Sequence, residues 1–285
     1  MRLSREWVVS FAVGGLVSCG AVTQSHSQPY PTYVVVGTGS PADGGTDAGS
    51  GDAGPTVNPV CVSKVAPPCQ DQAILALDLK KPVAPGLITS SAVDGGYVSV
   101  VDATAGSDGL SPVTDSFVYG KFTSAGLTKV AVGDEAALDS MDWDIAFRRY
   151  VVRLNGGPSG PSCVGASALP VGTSYDALAA VSSGAGYAVD AYYADTPAAC
   201  TFVADSAGLG TSPATALSSY YQYPNQCVQM TSRVYAVQTA DGHHLKLTLD
   251  GYYFPVSAQV YCNTYGSKQG GSVSATLTLR WAFLD

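Results

Sequence analysis

One stretch limits what this chain can become. Ser140 to Gly160, SMDWDIAFRRYVVRLNGGPSG, holds the longest strand-like run, one of only three Trp, a paired Arg and a Gly/Pro turn. Trp143, Ile145 and Phe147 alternate with Asp144 and Ala146, and a period of two puts the large apolar side chains on one face of a strand. Arg148 and Arg149 interrupt the pattern before Tyr150 to Leu154 resumes it. The reading is one long strand over Asp142 to Leu154, with Trp143, Ile145 and Phe147 in the core and Asp144 and Ala146 on the other face.

The same period recurs along the chain. Tyr97–Val101, Ser116–Phe122, Leu127–Val132, Tyr187–Tyr193, Arg233–Ala240, His244–Leu249, Ser257–Tyr261 and Ser272–Phe283 read as strands, and Ala73–Leu79 begins as a buried run and ends alternating. Two hairpins are expected, one turning at Ser124-Ala125-Gly126 and one at Asp241-Gly242. An Asp-Gly pair between alternating runs is the strongest short hairpin signal. Helical turns are expected over Asp134–Ser140, Tyr175–Val181 and Pro213–Tyr221. Strands dominate and no strand–helix alternation is sustained. The fold class is therefore all-β, an antiparallel sandwich or barrel-like domain with few short helices. No repeat of roughly 20–50 residues is evident, which disfavours a propeller or solenoid.

Composition supports this reading. The 32 Gly and 17 Pro punctuate turns, the 17 Tyr suit pleated surfaces, and 46% hydrophobic residues rule out general disorder. A net charge of −8 leaves no basic patch to release counterions from nucleic acid.

The N-terminus reads as a sorting signal. Arg2 and Arg5 precede an apolar run, Trp7 to Val17, that is too short for a bilayer, which takes about 20 helical residues. The run ends in Leu16-Val17-Ser18-Cys19, which resembles a bacterial lipobox and implies cleavage before Cys19 and its acylation. Gly20 rather than Asp after that Cys is compatible with an outer-membrane or cell-surface location. Ser40 to Thr56, SPADGGTDAGSGDAGPT, has nothing to bury. The organisation is thus a signal peptide over 1–18, a lipid-anchored tether over 19–57 and a β domain over 58–285. With Cys19 given to lipid, Cys61, Cys69, Cys163, Cys200, Cys227 and Cys262 remain, an even set that suggests three disulfides in an exported chain. Sequence neighbours give the simplest pairing among 15: Cys61–Cys69, Cys163–Cys200 and Cys227–Cys262. No Cys-x-x-Cys spacing supports a metal site instead.

Catalytic motifs are missing. There is no Gly-x-Ser-x-Gly elbow, phosphate loop or His-Glu-x-x-His. His26 lies in the tether, and His243 and His244 follow Asp241-Gly242. Either of the pair could supply a triad base, but adjacent residues on a hairpin face opposite ways and no Ser context stands out. Asp142 and Asp144 share a strand face, an arrangement that more often caps a turn or pairs with Arg148 or Arg149 than cleaves a sugar. The chain is not expected to be an enzyme.

The Trp-Asp-Ile-Ala-Phe run at Trp143–Phe147, the basic pair Arg148-Arg149, the strand Tyr150–Leu154, then Asn155-Gly156-Gly157 and Ser159-Gly160 resemble the HmuY-like family of bacterial haem-binding surface lipoproteins. Arg233 to Leu249, Gly251-Tyr252-Tyr253 and the last strand follow in that family's order, and the resemblance covers roughly Gln70 to Phe283. It implies an all-β monomeric domain that captures haem for handover to an outer-membrane receptor, with no catalysis. Haem in such proteins is held by two axial side chains, often His and sometimes Met. Here no His stands between His26 and His243, so the candidates are His243, His244, Met141 and Met230, with Tyr a further option. The alternative function is a non-haem surface module that recognises a protein or glycan through exposed tyrosines such as Tyr192, Tyr193, Tyr220, Tyr221 and Tyr223.

Overall fold

A computed structural model describes residues 61–108, 111–181, 185–194, 199–205, 209 and 212–284. The expected signal, Cys19 and the tether lie outside the described residues. Among the described residues fourteen strands are formed: β1 Ile88–Val93, β2 Gly96–Asp102, β3 Val118–Thr123, β4 Gly126–Val130, β5 Ile145–Arg148, β6 Val151–Leu154, β7 Gly165–Ala168, β8 Tyr193–Ala194, β9 Thr201–Phe202, β10 Tyr221–Gln222, β11 Gln229–Met230, β12 Val234–Gln238, β13 His244–Phe254 and β14 Val273–Phe283. The α-helices among the described residues are α1 Gln70–Ala76, α2 Asp134–Ala137 and α3 Val256–Tyr265. Six strands form one antiparallel sheet in the order β1-β2-β14-β13-β12-β7, four form a second in the order β4-β3-β5-β6, and β8–β9 and β10–β11 are two-stranded ribbons.

The two large sheets pack face to face as a sandwich and do not close into a barrel. In β14, Ala275, Leu277, Leu279 and Trp281 are buried at every second position, as the alternation of SVSATLTLRWAF requires. They meet Ile145 and Phe147 of β5 and Val152 and Leu154 of β6 in one apolar cluster. A chain of hydroxyls ties the sheets together. Trp281 Nε1 donates to Ser99 Oγ at 2.9 Å, Ser99 and Ser90 share a hydrogen bond of 2.9 Å, and Ser90 Oγ meets Leu127 N and O across the β1–β4 seam.

Both hairpin expectations hold. Thr123 pairs with Gly126 around Ser124-Ala125, and Gln238 pairs with His244 around a turn in which Gly242 has φ 92°. That left-handed position suits the glycine of a three-residue hairpin loop.

The stretch from Asp142 to Leu154 differs from expectation. It is a hairpin and not one strand. β5 and β6 pair Ile145 with Leu154 and Arg148 with Val151, and the chain reverses at Arg149-Tyr150, with Arg149 at φ 53°. The backbone N–H of Arg149 donates to Ala103 O at 2.6 Å, which fixes the reversal from the other sheet. Both faces of β5 are covered. Ile145 and Phe147 point into the intersheet cluster, while Ala146 points into a second cluster with Phe117 and Tyr119 beneath Ala73, Leu77, Ala137 and Leu138. Trp143 precedes β5 and belongs to that second cluster, its Nε1 donating to Ala137 O at 3.0 Å. Asp144 is buried rather than outward, because its carboxylate accepts Phe122 N–H at 2.9 Å.

Five further segments depart from expectation. Ala73–Leu79 lies largely in α1, a helix of good formers whose Ala73, with Leu77 four residues on, faces the second cluster. Ser257–Tyr261 lies in α3, which starts after Pro255, buries Ala258, Gln259 and Cys262, and ends at Gly266 with φ 69°. Tyr175–Val181 forms turns, and Pro213–Tyr221 keeps only a 3-10 turn at Ser218–Tyr220. Tyr187–Tyr193 contributes one bridge, Ala188 to Ala166, and the start of β8.

All six domain cysteines are paired. Cys227–Cys262 is as expected and fastens α3 to β11's approach. The other two bonds cross, Cys61–Cys163 and Cys69–Cys200, because the N-terminal segment runs beside distant loops, with Val65 N–H donating to Pro161 O at 2.9 Å.

Candidate functional site

Three places in the domain concentrate chemistry, and the first lies under α1 and α2. Ala146, Arg148, Val151 and Arg153 share the helix-covered face of the β5–β6 hairpin, since paired residues point the same way. The Arg148 guanidinium lies 4.2 Å and that of Arg153 4.6 Å from the Phe117 ring centroid. Arg148 also donates to Leu77 O and to Asp78 O, and stands 3.6 Å from the Asp134 carboxylate. Asp134 accepts from Lys80 N at 2.9 Å, Phe117 N at 2.8 Å and the Tyr119 hydroxyl at 2.9 Å. Arg153, fully buried, donates from Nε to Ser159 Oγ at 3.2 Å and from Nη2 to Ser159 O at 2.7 Å. Ser159 in turn donates to Asp190, which also accepts Leu154 N at 3.0 Å and Ala216 N at 2.9 Å. Burial raises the Asp134 carboxyl above the ordinary carboxylate range and raises that of Asp190 to about 6, against the pull of its hydrogen bonds and Arg153. Each charged group bonds to backbone outside its own element. The cluster therefore orders loops around the hairpin.

The Asn-Gly-Gly and Ser-Gly run is explained by the same knot. Asn155 Nδ2 donates to Trp143 O at 2.7 Å and to Ser140 O at 3.0 Å. A Cβ on Gly157, at φ 61°, would sit 2.2 Å from Asp190 O, and one on Gly160 would sit 2.1 Å from Asn155 Oδ1. The glycines let the chain pass between Asp190 and Asn155.

The second place is a group of tyrosines beside the β10–β11 ribbon. Tyr220 and Tyr221 have ring centroids 4.8 Å apart, Tyr150 and Tyr221 6.1 Å, and Tyr252 and Tyr253 5.0 Å. Tyr220 donates to Tyr150 O at 2.8 Å and Tyr235 to Leu217 O at 3.1 Å. Tyr192, Tyr220 and Tyr221 are buried to within 1% of full, which corrects their expected exposure; their aromatic area fills the core, and their hydroxyls bond inward. Tyr193 and Tyr223 are half-buried. Burial pushes the Tyr220, Tyr235 and Tyr252 hydroxyls above the ordinary range, which opposes the phenolate an iron ligand needs.

The third place is the outer side of α3. Val256 is 66% exposed, Val260 59% and Tyr265 69%, with Phe254 and Val273 alongside.

Of the four side chains expected to hold haem, His243, His244 and Met230 are not gathered. The His243 and Phe283 ring centroids lie 5.4 Å apart, edge-on, and Phe283 packs against the intersheet cluster. His244 begins β13, meets Gln238 Nε2 at 3.1 Å and stacks on Tyr187 at 5.5 Å. It shares its face with Lys246, which donates to Tyr175 O and Leu178 O on the outer side of the six-stranded sheet. The two imidazoles thus lie on opposite faces. Met230 lies beside the far end of β13, where Val228 N donates to the Tyr253 hydroxyl and Met230 N to Asn263 Oδ1, both at 3.1 Å. With 11 residues, β13 is about 35 Å long. Met141 follows α2, half-buried, and belongs to neither apolar cluster. His243, His244 and Met230 do not fit a two-sided iron site. Among the described residues, no three His, Cys, Asp or Glu are grouped to hold a metal ion. A cleft of about 210 Å³ lined by Gly86, Asp102, Thr104, Asp115 and Val118 is smaller than the roughly 300–1,000 Å³ of ordinary ligand sites.

The residues of the buried ionic knot were missed from sequence as a set. Their one local signal is two arginines inside an otherwise apolar run.

The described residues thus form a disulfide-stapled β domain of two packed sheets. The family model for HmuY protein matches residues 113–261, a little over half of the 285 residues, and the chain belongs to the HmuY family. Members of this family are binding proteins. Similar solved structures include a HmuY-like haem-binding protein from Bacteroides vulgatus, at 16% identity and TM-score 0.39, covering 68% of this chain and 95% of that one. A lipoprotein from Bacteroides fragilis has 16% identity and TM-score 0.40, with 70% and 95% covered. The apo HmuY analog of Tannerella forsythia has 14% identity and TM-score 0.36, with 70% and 97% covered. No curated protein sequence matches.

Proposed function

We propose that this protein is an exported, lipid-anchored member of the HmuY family that captures a ligand at the cell surface without transforming it. Cleavage before Cys19, a tether over 19–57 and a binding domain over 58–285 make up this reading. Haem or another tetrapyrrole is the ligand class, handed on to an outer-membrane receptor by a monomeric carrier. The observation that carries it is the family match, which spans the domain from the approach to β3 into α3. The paired cysteines agree with an oxidising compartment.

The mature chain titrated with haemin should give a saturable Soret shift. A linear, non-saturable response sinks the tetrapyrrole reading. Replacing Cys19 by Ala should move the protein from the membrane fraction to the soluble one, and an unchanged distribution overturns the anchor.

A second reading has its own observation. Val256, Val260, Tyr261 and Tyr265 stand exposed on α3, in the stretch Gly251–Leu284, which contains no Asp or Glu although the chain carries −8. An apolar, acid-free face on an acidic protein suits a protein partner. This face replaces the buried tyrosines as the surface for such recognition.

A further inference from the structure

We propose that the exposed face of α3 is a membrane-docking surface that seats the domain on lipid headgroups, where the second reading above places a protein. The nearness of the membrane rests on the lipid-anchored reading, which this contact deepens.

α3 is turned the wrong way round for a helix that only has to pack. Its buried side holds Ala258, Gln259 and Cys262, and its outer side holds Val256, Val260, Tyr261 and Tyr265. Val256 with Val260, and Tyr261 with Tyr265, stand four residues apart and so form two rows on one face, with the two tyrosine ring centroids 4.7 Å apart. Phe254 and its strand partner Val273, both exposed, extend the patch at the end of the β13–β14 pair.

The polar groups beside these rows are engaged within the domain. Gln259 Oε1 accepts Tyr252 N–H at 2.8 Å and Tyr253 N–H at 3.2 Å, and its Nε2 donates to Val228 O and to Asn263 Oδ1. Asn263 Oδ1 also accepts Met230 N–H, and the Thr264 hydroxyl donates back to Val260 O. A protein interface carries about one hydrogen bond per 100–200 Å². A lipid surface needs no such directional match; seating on it scales with buried apolar area and with attraction to anionic headgroups.

Charge favours the same occupant. None of the 22 Asp and Glu falls in Gly251–Leu284, and Asp250, just before it, is held by Arg280. Lys268 follows α3 at the surface, its Nζ 5.9 Å from the Tyr253 ring centroid. On a chain of net charge −8, an acid-free face with one exposed lysine is a face that anionic headgroups do not repel. Tyrosine rings with a hydroxyl tip suit the headgroup level, and a lysine stem lies along apolar surface while its charge stays in water.

The geometry allows the contact. The N-terminal segment joins the sandwich at the other end of β13, where Cys61 N–H donates to Ala240 O at 3.2 Å, about 35 Å from α3. The chain from Cys19 to Cys61 spans up to about 140 Å when extended, so an anchor at Cys19 leaves α3 free to reach the membrane. A face of a few partly exposed side chains binds weakly alone, and tethering raises its effective concentration at the lipid. The Cys19→Ala chain therefore still leaves the membrane fraction.

The test mixes the mature chain carrying Cys19→Ala, which has no lipid of its own, with excess vesicles of equimolar phosphatidylcholine and phosphatidylglycerol, and measures co-sedimentation. Saturable binding that weakens as salt rises is expected. Val256→Asp with Val260→Asp should weaken it by about tenfold or more, and Val256→Ser with Val260→Ser should weaken it without added charge. Val171→Asp, at an exposed valine outside the face, should change it less than about twofold. Urea midpoints matching the parent chain show that these surface variants fold. No saturable binding, binding unchanged by both double variants, or an equal loss in Val171→Asp overturns the inference. None of these outcomes touches the anchor, which the fractionation of wild type against Cys19→Ala decides separately. A monomer–dimer transition that the double variants abolish, with no vesicle binding, gives the face to a second copy and likewise overturns it.

Discussion

Asp190 accepts three hydrogen bonds in a fully buried position, yet burial still raises its carboxyl to about 6. Asp144 is raised to about 6 by the same cause. Both carboxyls hold a proton more readily in the folded chain than in the unfolded one, where the value is 3.8. Their contribution to stability is therefore full below about 3.8 and is lost as pH rises through about 6, at most about 3 kcal/mol for each group. Asp134 shifts in the same direction. Urea unfolding of the disulfide-intact protein should show higher stability at pH 5 than at pH 7.5, with Asp190→Asn flattening the difference. Stability that rises across that interval would contradict the assignment. At this scale the sequence is least informative. Asp144 and Asp142 look alike in it, but one accepts Phe122 N–H inside the sandwich and the other accepts Ser140 Oγ–H at the surface.

The β5–β6 hairpin and the turn after it act as a unit. Gly160 has an extended backbone that any residue can adopt, so its requirement is for space alone. A methyl group there meets Asn155 Oδ1 at 2.1 Å and Trp143 Cζ2 at 2.9 Å, and neither atom is free to leave, since Asn155 holds Trp143 O and Ser140 O. Gly160→Ala should cost about 1–3 kcal/mol, seen as a lower midpoint in chemical unfolding. A variant as stable as wild type would show that the Asn155 knot relaxes at no cost. Within the hairpin, the alternation of Ile145 and Phe147 with Ala146 is readable from sequence, and so is a break at the basic pair. The reversal is not readable, because the anchor for Arg149 is Ala103, on a different sheet. In α3, Val256, Val260 and Tyr261 carry strand-forming side chains, yet Pro255 before them and the bond from Cys262 to Cys227 settle the segment as a helix.

Across the whole molecule, two long-range disulfides hold the N-terminal segment to the sandwich. Cys61–Cys163 spans 102 residues and Cys69–Cys200 spans 131. In the chain-entropy account, closing a loop of this size stabilises by about 4–5 kcal/mol. Replacing Cys69 and Cys200 together by Ala should lower stability by several kcal/mol, about 3–5, and should expose α1 first to proteolysis, because Cys69 is its N-cap. Equal stability and an uncut α1 would show that the Ala73 and Leu77 contacts suffice to hold the helix. The sequence by itself determined the all-β class, the hairpins at Ser124-Ala125 and Asp241-Gly242, the even cysteine set and the motifs that mark the family. The cysteine set rests on a count, and the others rest on a period of two or on turn chemistry, which neighbours in the chain express unaided. Tertiary structure alone decided how the other four domain cysteines pair, where Asp142–Leu154 folds back, which tyrosines vanish into the core, and that His243, His244 and Met230 stay apart. Those outcomes depend on contacts between residues far apart in sequence, such as Cys69 with Cys200 and Arg149 with Ala103, and on which face of a sheet another element covers. Local pattern carries no record of either.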